Sequence, residues 1–246
     1  MNESVRSTER PSERRTAARS SVVWDAVRPY VEDAGGVDVL DIGGGTGGFA
    51  VRVARLGARV TVVDPSPDAL AALGRRAREL EVEVSAQQGD LATLLDVVEP
   101  RSADVVLCHG VLEVVDDPVA ALATLREVLR PGGVLSLLVA QRHAAVVARA
   151  MAGHFGQALA LLDAPAGERD GRTSHRFTAA EATALLGQAG FSVDAVHGVR
   201  VFADLVPGSL LDLEPGATAA LVELERAVAE RAEYLPLAAQ LHLLAH

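Results

Sequence analysis

The chain has 246 residues, 49% of them hydrophobic, which is enough for one large domain with a full core. The formal net charge is −10 and all 23 basic residues are arginine, which argues against general nucleic-acid binding because that needs clustered cations. One cysteine excludes an intramolecular disulfide, and the absence of a long apolar run or an apolar leader predicts a cytoplasmic protein without a membrane segment.

The first half of the sequence predicts alternating strands and helices. Residues 1–18 are rich in Ser, Glu and Arg and predict a disordered tail, whereas residues 19–246 predict a single domain. The elements predicted up to residue 140 are a helix over 19–33, a strand over 37–42, a helix over 49–56, a strand over 58–63, a helix over 66–80, a strand over 82–88, a helix over 91–97, a strand over 103–108, a helix over 117–129 and a strand over 134–140.

This alternation predicts the fold class. Strands separated by helices favour a parallel sheet that is covered on both faces. The strand runs are continuously apolar, which is typical of strands buried on both sides. We therefore expect an α/β fold with a doubly wound, mostly parallel sheet of six to seven strands.

The pattern changes after residue 140. A helix over 143–160 and a polar loop over 163–176 predict a helical insert, residues 141–176, that partly covers the cleft at the carboxyl ends of the strands. Thr178 and Glu181 have the spacing of a capping box, which begins a helix that ends at residue 189. The remaining predicted elements are a strand over 191–197, a helix over 217–232 and a short final strand over 240–245.

The most informative segment is a glycine-rich turn after the first strand. Glycine there allows a sharp turn into a helix and a close approach of the backbone to a ligand. The segment fits the dinucleotide (NAD) spacing and the S-adenosylmethionine (SAM) spacing equally well, so the loop alone leaves both cofactors open. The candidate cofactor-binding residues of the turn are Asp41, Gly43, Gly44, Gly45 and Gly47.

An acidic residue ends the next predicted strand. Asp64 follows the apolar run over 58–63, where a carboxylate can accept both hydroxyl hydrogens of a ribose. Strand, glycine turn, helix, strand and acid in this order predict a pocket for the adenosyl half of a cofactor.

The order of signals over residues 37–140 resembles the class I SAM-dependent methyltransferases. The segments that carry the resemblance are 41–47, Asp64, 89–91, 104–114 and 129–136. It implies SAM as the cofactor, with the glycines around its methionine and ribose parts and Asp64 on the ribose diol. It also implies that Asp90 and Leu91 bind the adenine, and that His109 lies over the cofactor near its methyl group.

A narrower resemblance extends into the C-terminal half. The chain is similar to the bacterial tRNA methyltransferases that esterify 5-carboxymethoxyuridine at the wobble position, through residues 109–114, 129–138, His143, 151–155, 198–204, Arg19 and Trp24. The resemblance implies that Arg19 reaches the carboxylate of SAM, a charge-assisted contact that suits guanidinium. The lysine-rich loop of that family is replaced here by residues 163–176, so tRNA and a small metabolite both stay open as methyl acceptors.

The chemistry of the acceptor divides the catalytic candidates. A carboxylate is ionised at neutral pH and needs no base, so arginine should bind it, and Arg200 is the first candidate. A phenol or amine needs a base with a pKa near neutral, for which His109 and His143 are candidates. No metal-ligand spacing is present, so no metal is expected.

The function predicted from these signals is SAM-dependent methyl transfer to an oxygen atom, with a carboxylate on a modified tRNA uridine as one acceptor. The alternatives are an O- or N-methyltransferase of a small metabolite and a non-catalytic SAM-binding protein. The oligomeric state is left open.

Overall fold

The computed structural model describes residues 11–32, 36–162, 175–213 and 216–246. The strands are β1 Asp38–Ile42, β2 Arg59–Asp64, β3 Val84–Gln88, β4 Ala103–His109, β5 Leu129–Ala140, β6 Val193–Val199 and β7 Gln240–Ala245. The helices found in those ranges are α1 Pro11–Val31, α2 Ala50–Ala54, α3 Pro67–Glu79, α4 Leu94–Val97, α5 Pro118–Val128, α6 Arg142–Met151, α7 Phe155–Leu162, α8 Ala179–Gln188, α9 Gly208–Leu213 and α10 Ala217–Val228, with a 3-10 turn over Leu235–Leu237.

The strands form one seven-stranded sheet in the order β3-β2-β1-β4-β5-β7-β6. Strands β1 to β5 are parallel to one another, whereas β7 is antiparallel to both β5 and β6. The doubly wound, mostly parallel sheet expected from the sequence is therefore confirmed, with seven strands and the last strand reversed.

Helices cover both faces of the sheet because successive side chains of a strand point to opposite sides. In β1, Leu40 and Ile42 join the core formed with α5 and α8, whereas Val39 joins the core formed with α1, α2 and α3. The single cysteine, Cys108, is fully buried in the first of these cores, and burial raises the pKa of its thiol. This thiol therefore packs as a small apolar side chain and is not a nucleophile.

Side-chain caps begin the helices that follow the strands. Ser66 accepts a hydrogen bond from the backbone nitrogen of Ala69 at 3.2 Å at the start of α3, and Asp117 caps α5 in the same manner. At the start of α8, Thr178 and Glu181 each accept a hydrogen bond from the other's backbone nitrogen, so the predicted capping box is confirmed. Such caps supply acceptors for amide groups that have no partner within the helix.

Three features differ from the expectation. Helix α1 begins at Pro11, so residues 11–18 are helical rather than disordered; Glu, Arg and Ala in this stretch favour helix, and proline suits a first turn. Residues 1–10 lie outside the described residues. The helix expected over 143–160 is two helices, because Gly153, with φ at +79°, ends the first of them. Helix α9 has six residues, too few to give a periodic signal.

Candidate active site

The glycine-rich turn leaves the carboxyl end of β1 and is packed too closely for larger residues. A Cβ atom on Gly44 would lie 2.6 Å from Oδ2 of Asp41, and one on Gly47 would lie 2.1 Å from Cδ1 of Leu73. Gly47 also has φ at +73°, a conformation that residues with a Cβ atom rarely adopt. The turn therefore needs glycine at both positions for its packing, and at Gly47 for its conformation as well.

Asp41 lies beneath this turn and is 3% exposed. Its Oδ2 atom is buried without a hydrogen-bond partner in the described part of the chain. Burial, and then the nearby charge of Asp64, raise the pKa of Asp41 to about 7. A buried acceptor that lacks a donor fits a site completed by a cationic group, such as the amino group of SAM.

Asp64 ends β2, the strand next to β1. Its Oδ2 accepts a hydrogen bond from the backbone nitrogen of Gly45 at 2.9 Å, and its Oδ1 accepts one from that of Ser66 at 2.8 Å. Each carboxylate oxygen keeps a further lone pair, so the group can still accept two hydroxyl hydrogens. The arrangement fits the ribose role that the sequence implies.

A cleft of about 700 Å³ opens beside these acids, and we call it the cofactor cleft. Asp64, Asp90, Leu91 and His109 all line it, as does Gly43. Three hydrogen bonds to Asp90, from residues 92 and 93, all use Oδ1, which leaves Oδ2 for an adenine amino group. Leu91 is buried and gives the same wall an apolar surface.

His109 ends β4 and stands at the edge of the cofactor cleft. Its Nε2 lies 2.8 Å from Oγ of Ser136, and its ring meets the Phe49 ring edge-on at 5.3 Å between centroids. Burial lowers the pKa of His109 to about 4, so the imidazole is neutral at pH 7. A neutral ring is a weak base, but it adds no positive charge beside a sulfonium.

An aromatic and cationic group continues from His109 towards α1. Trp24 packs against Phe49 at 5.5 Å, and the guanidinium of Arg52 lies 3.9 Å from the centre of the Trp24 ring. This cation–π contact was not expected, because a single arginine in a short helix gives no sequence signal. Arg19 belongs to α1, but its side chain lies outside the described part of the structure.

A second cleft of about 420 Å³ opens at the carboxyl end of β5, the strand next to β4. Three arginines line it, so we call it the arginine cleft: Arg149, Arg176 and Arg200, together with Asp204. Its apolar wall includes Val201, Phe202, Leu205 and Leu237. Arg149 and Arg176 were not singled out from the sequence, because they belong to no motif and meet Arg200 only in the folded chain.

Arg200 is held in a defined position within this cleft. It follows β6 with φ at +62°, an uncommon conformation for a non-glycine residue and one that clusters at functional sites. One terminal nitrogen donates to Oε1 of Gln240 at 3.2 Å, and the other pairs with the carboxylate of Asp204. Its Nε atom is buried and has no partner within the described ranges. A fixed guanidinium with an unused donor suits the binding of an anion.

The structure does not bring His143 together with His109. His143 is exposed on the first turn of α6 and lines neither cleft, and its Nδ1 lies 3.4 Å from the side-chain nitrogen of Gln141. Glu113 fixes the loop between the clefts, since its Oε1 accepts a hydrogen bond from the backbone nitrogen of Ala140 at 2.7 Å. Of the two candidate bases, only His109 lies at the site.

The described residues contain neither a metal-binding cluster nor a membrane-spanning helix. They hold no group of three or more His, Cys, Asp or Glu side chains arranged to bind a metal ion. Within the same ranges, no helix has both the length and the apolar character needed to cross a membrane.

Known proteins match both the sequence and the fold. The family described as a methyltransferase domain matches residues 40–137. The tRNA 5-carboxymethoxyuridine methyltransferase of Escherichia coli (strain K12) is 30% identical over 234 residues, covering 92% of this chain and 87% of that protein. The ubiquinone biosynthesis O-methyltransferase of Xanthomonas campestris pv. campestris (strain B100) is 36% identical over 118 residues, covering 48% and 49%.

The fold is also that of solved methyltransferases. The magnesium protoporphyrin IX methyltransferase of Synechocystis PCC 6803, solved with bound S-adenosylhomocysteine (SAH), superposes with a TM-score of 0.59 at 18% identity, covering 94% of this chain and 82% of that one. Fold and sequence together define a class I SAM-dependent methyltransferase, and SAM is its cofactor. Within that class, the chain belongs to the family of the Escherichia coli tRNA 5-carboxymethoxyuridine methyltransferase, because their identity extends along nearly the whole chain.

Proposed function

We propose that this enzyme transfers the methyl group of SAM to a carboxylate oxygen of an acceptor bound in the arginine cleft. The observation that carries this proposal is the guanidinium of Arg200, which two partners hold in place while its buried Nε donor stays unused. Three arginines and one aspartate line the cleft, so its side-chain charge favours an anion. The apolar wall suits the flat ring of a base or an aromatic metabolite.

SAM would bind in the cofactor cleft through the residues singled out from the sequence. Asp41 would accept from the amino group, Asp64 would hold the ribose and Asp90 the adenine amino group. Arg19 would reach the carboxylate of SAM, an assignment that rests on the sequence resemblance. The other residues assigned to the cofactor are Gly43, Gly44, Gly45, Gly47, Leu91 and His109.

A carboxylate acceptor needs no general base. SAM supplies an electrophilic methyl group on a sulfonium; the acceptor oxygen bonds to the methyl carbon as the carbon–sulfur bond breaks, which leaves a neutral ester and neutral SAH. The protein aligns the two reactants and keeps water away. Arg200 would hold the acceptor by its carboxylate, and neutral His109 would line the path between the clefts without adding positive charge.

We propose that residues 141–176 cover the site as a helical insert of the single domain. Gln141 and Phe177 form a β-bridge, so the two ends of the segment meet at the carboxyl edge of the sheet. Ala144 and Ala145 of α6 line the arginine cleft. Residues 163–174 of the predicted loop lie outside the described residues.

A modified tRNA uridine bearing a carboxylate is the acceptor we favour, because the chain belongs to the family of the E. coli enzyme. We infer that the enzyme meets such an acceptor in the cytoplasm. A small carboxylic acid is the second candidate, favoured by the net charge of −10, which opposes the binding of a polyanion. If no carboxylate accepts a methyl group from SAM, the remaining alternative is a non-catalytic SAM-binding protein.

The test compares tRNA that carries 5-carboxymethoxyuridine with tRNA that carries 5-methoxyuridine, which lacks the carboxylate. We expect methyl transfer to the first only, and Arg200→Ala to lower kcat/KM by about 30-fold or more, because a desolvated charge partner is lost. Arg75→Ala is the control, since Arg75 is exposed on α3. Transfer to both tRNAs, or an unchanged rate in Arg200→Ala, would contradict the proposal, and transfer to the free nucleoside alone would favour the small acid.

A further inference from the structure

A chain of hydrogen-bonded side chains leads from the cofactor cleft through the sheet to the surface. From His109, Nε2 meets Oγ of Ser136 at 2.8 Å, and the same Oγ lies 2.8 Å from Nε2 of His242. Nδ1 of His242 lies 3.2 Å from Nδ1 of His197. Nε2 of His197 then lies 3.4 Å from a carboxylate oxygen of Glu230. We call these five residues the histidine chain.

The middle of the histidine chain is buried inside the protein, and only its Glu230 end is exposed. Ser136 and His242 are 0% exposed and His197 is 7% exposed, whereas the side chain of Glu230 is 79% exposed. The serine and the three histidines come from β4, β5, β7 and β6, whereas Glu230 follows α10. His197 and His242 are paired in the sheet register. Buried polar groups reduce stability unless they are hydrogen-bonded. Because these buried groups are hydrogen-bonded to one another and the chain ends at the cofactor cleft, we expect the chain to have a function at that cleft.

The protonation of the three histidines determines how many hydrogen-bond donors the histidine chain has. Burial lowers the pKa of His109, His197 and His242, and the neighbouring imidazoles lower that of His242 further. At neutral pH each ring therefore carries one N–H, and the Ser136 hydroxyl carries one more donor. When the Ser136 hydroxyl donates to one of its two histidine neighbours, the links between the histidines can run in only two directions, which are opposite to each other.

The carboxylate of Glu230 distinguishes the two directions. If Glu230 accepts from Nε2 of His197, then Nδ1 of His197 is an acceptor and His242 must donate to it. In that case Nε2 of His242 accepts from Ser136, whose oxygen accepts from Nε2 of His109. The opposite direction would point a lone pair of His197 at the carboxylate. His197 and Glu230 line a surface pocket of about 250 Å³. The two other charged groups of that pocket, Asp25 and Arg226, pair with each other at 2.6 Å.

We propose that Glu230, His197, His242 and Ser136 are positioning residues that hold His109 with its proton on Nε2 and present Nδ1 as an acceptor at the cofactor cleft. Nδ1 of His109 has no hydrogen-bond partner among the described residues, and the ring lines the cleft. An acceptor there suits a cationic cofactor, whereas an N–H would bring a positive partial charge towards the sulfonium.

The test reads the position of the proton directly. Long-range ¹H–¹⁵N spectra of the ¹⁵N-labelled full chain at pH 7.5, without cofactor, distinguish protonated from unprotonated ring nitrogens, and a His109→Gln variant assigns the signals. We expect His109 protonated on Nε2 in the wild type. Glu230→Gln keeps an acceptor oxygen and should preserve that state. Glu230→Lys places a donor there and should shift His109 towards protonation on Nδ1.

Glu233→Ala, which removes a nearby exposed carboxylate, is the matched control and should leave the His109 signals unchanged. Glu230 is a surface residue, so its variants should fold. A wild-type His109 protonated on Nδ1 or on both nitrogens would overturn the proposal, as would a His109 tautomer unchanged in Glu230→Lys. The spectra report the position of the proton without any methyl transfer. A failure of this test can therefore be distinguished from a failure of the acceptor test.

Discussion

Asp41 and Asp64 lie close together at the carboxyl ends of neighbouring strands, and the charge of Asp64 acts on Asp41. The charge of Asp64 adds to the effect of burial in raising the pKa of Asp41. Asp64, in contrast, accepts hydrogen bonds from the backbone nitrogens of Gly45 and Ser66. Asp41 is therefore near half protonation at neutral pH until a cation arrives in the cleft.

The raised pKa of Asp41 predicts that a proton is released when the cofactor binds. The amino group of SAH should lower the pKa of Asp41 from about 7, so binding at pH 6 should release close to one proton. At pH 8, where Asp41 is already ionised, that release should fall towards zero. Calorimetric titration in buffers of different ionisation enthalpy measures the number of protons at each pH.

Asp41→Asn is the matched control for this measurement, because it keeps the size of the side chain and removes its titration. The variant should show no pH-dependent proton release between pH 6 and pH 8. Release that is the same in the wild type and in Asp41→Asn would show that Asp41 does not face the amino group.

Asp41 also affects stability in a direction opposite to most carboxylates. A pKa raised on folding from 3.8 to about 7 lowers the free energy of unfolding as the pH rises through that window. The loss approaches about 4 kcal/mol at most. Asp41→Asn should therefore be more stable than the wild type at pH 8, and urea unfolding at pH 8 and pH 4 should show the gain at pH 8 only. An equal gain at both pH values would assign it to packing.

At the scale of single residues, the sequence predicts groups that act through local motifs. The glycine turn, Asp64 and Asp90 follow directly after strands, so their positions at the sheet edge could be inferred. The partners of Arg200 and the histidine chain could not, because they join residues from strands far apart in the sequence. Their contacts depend on the sheet register, such as His197 opposite His242, which no local pattern fixes.

At the scale of elements, the glycine turn is constrained by the helix packed against it. A Cβ on Gly47 would overlap Leu73 of α3, a buried side chain that cannot move into solvent. We expect Gly47→Ala to lower the free energy of unfolding by about 2 to 4 kcal/mol, since it combines backbone strain with overpacking. Urea unfolding measures the change.

Gly57→Ala provides the comparison for Gly47→Ala. Gly57 also has a positive φ, +91°, but a Cβ there would have nothing within 4 Å. Its substitution should cost only the backbone strain, about 1 to 2 kcal/mol. If the two variants lose the same stability, the close packing of Gly47 against Leu73 has no energetic consequence.

The elements after β5 were harder to predict than those before it. The single helix expected over 143–160 is interrupted at Gly153, because one glycine with a positive φ ends a helix even where the apolar pattern continues. The final strand was expected, but its reversal between β5 and β6 was not, since an apolar run carries no sign of direction. The parallel half was predictable because its strands and helices alternate strictly.

At the scale of the whole molecule, two clefts open at the same edge of one sheet. The cofactor cleft lies beyond β1, β2 and β4, and the arginine cleft lies beyond β5 and β6. Adjacent strands are about 4.8 Å apart, so the ends of β4 and β5 bring the two clefts side by side. In the function proposed above, this arrangement would bring SAM and the anionic acceptor together near His109.

We propose that the cofactor cleft holds SAM through Asp64 and its neighbours. Calorimetric titration of the wild type and of Asp64→Ala with SAH measures whether it does. We predict one binding site in the wild type and an affinity at least about 10-fold lower in Asp64→Ala, because the ribose hydroxyls lose a charged acceptor. No binding to the folded wild type, or equal affinity in both proteins, would contradict the account.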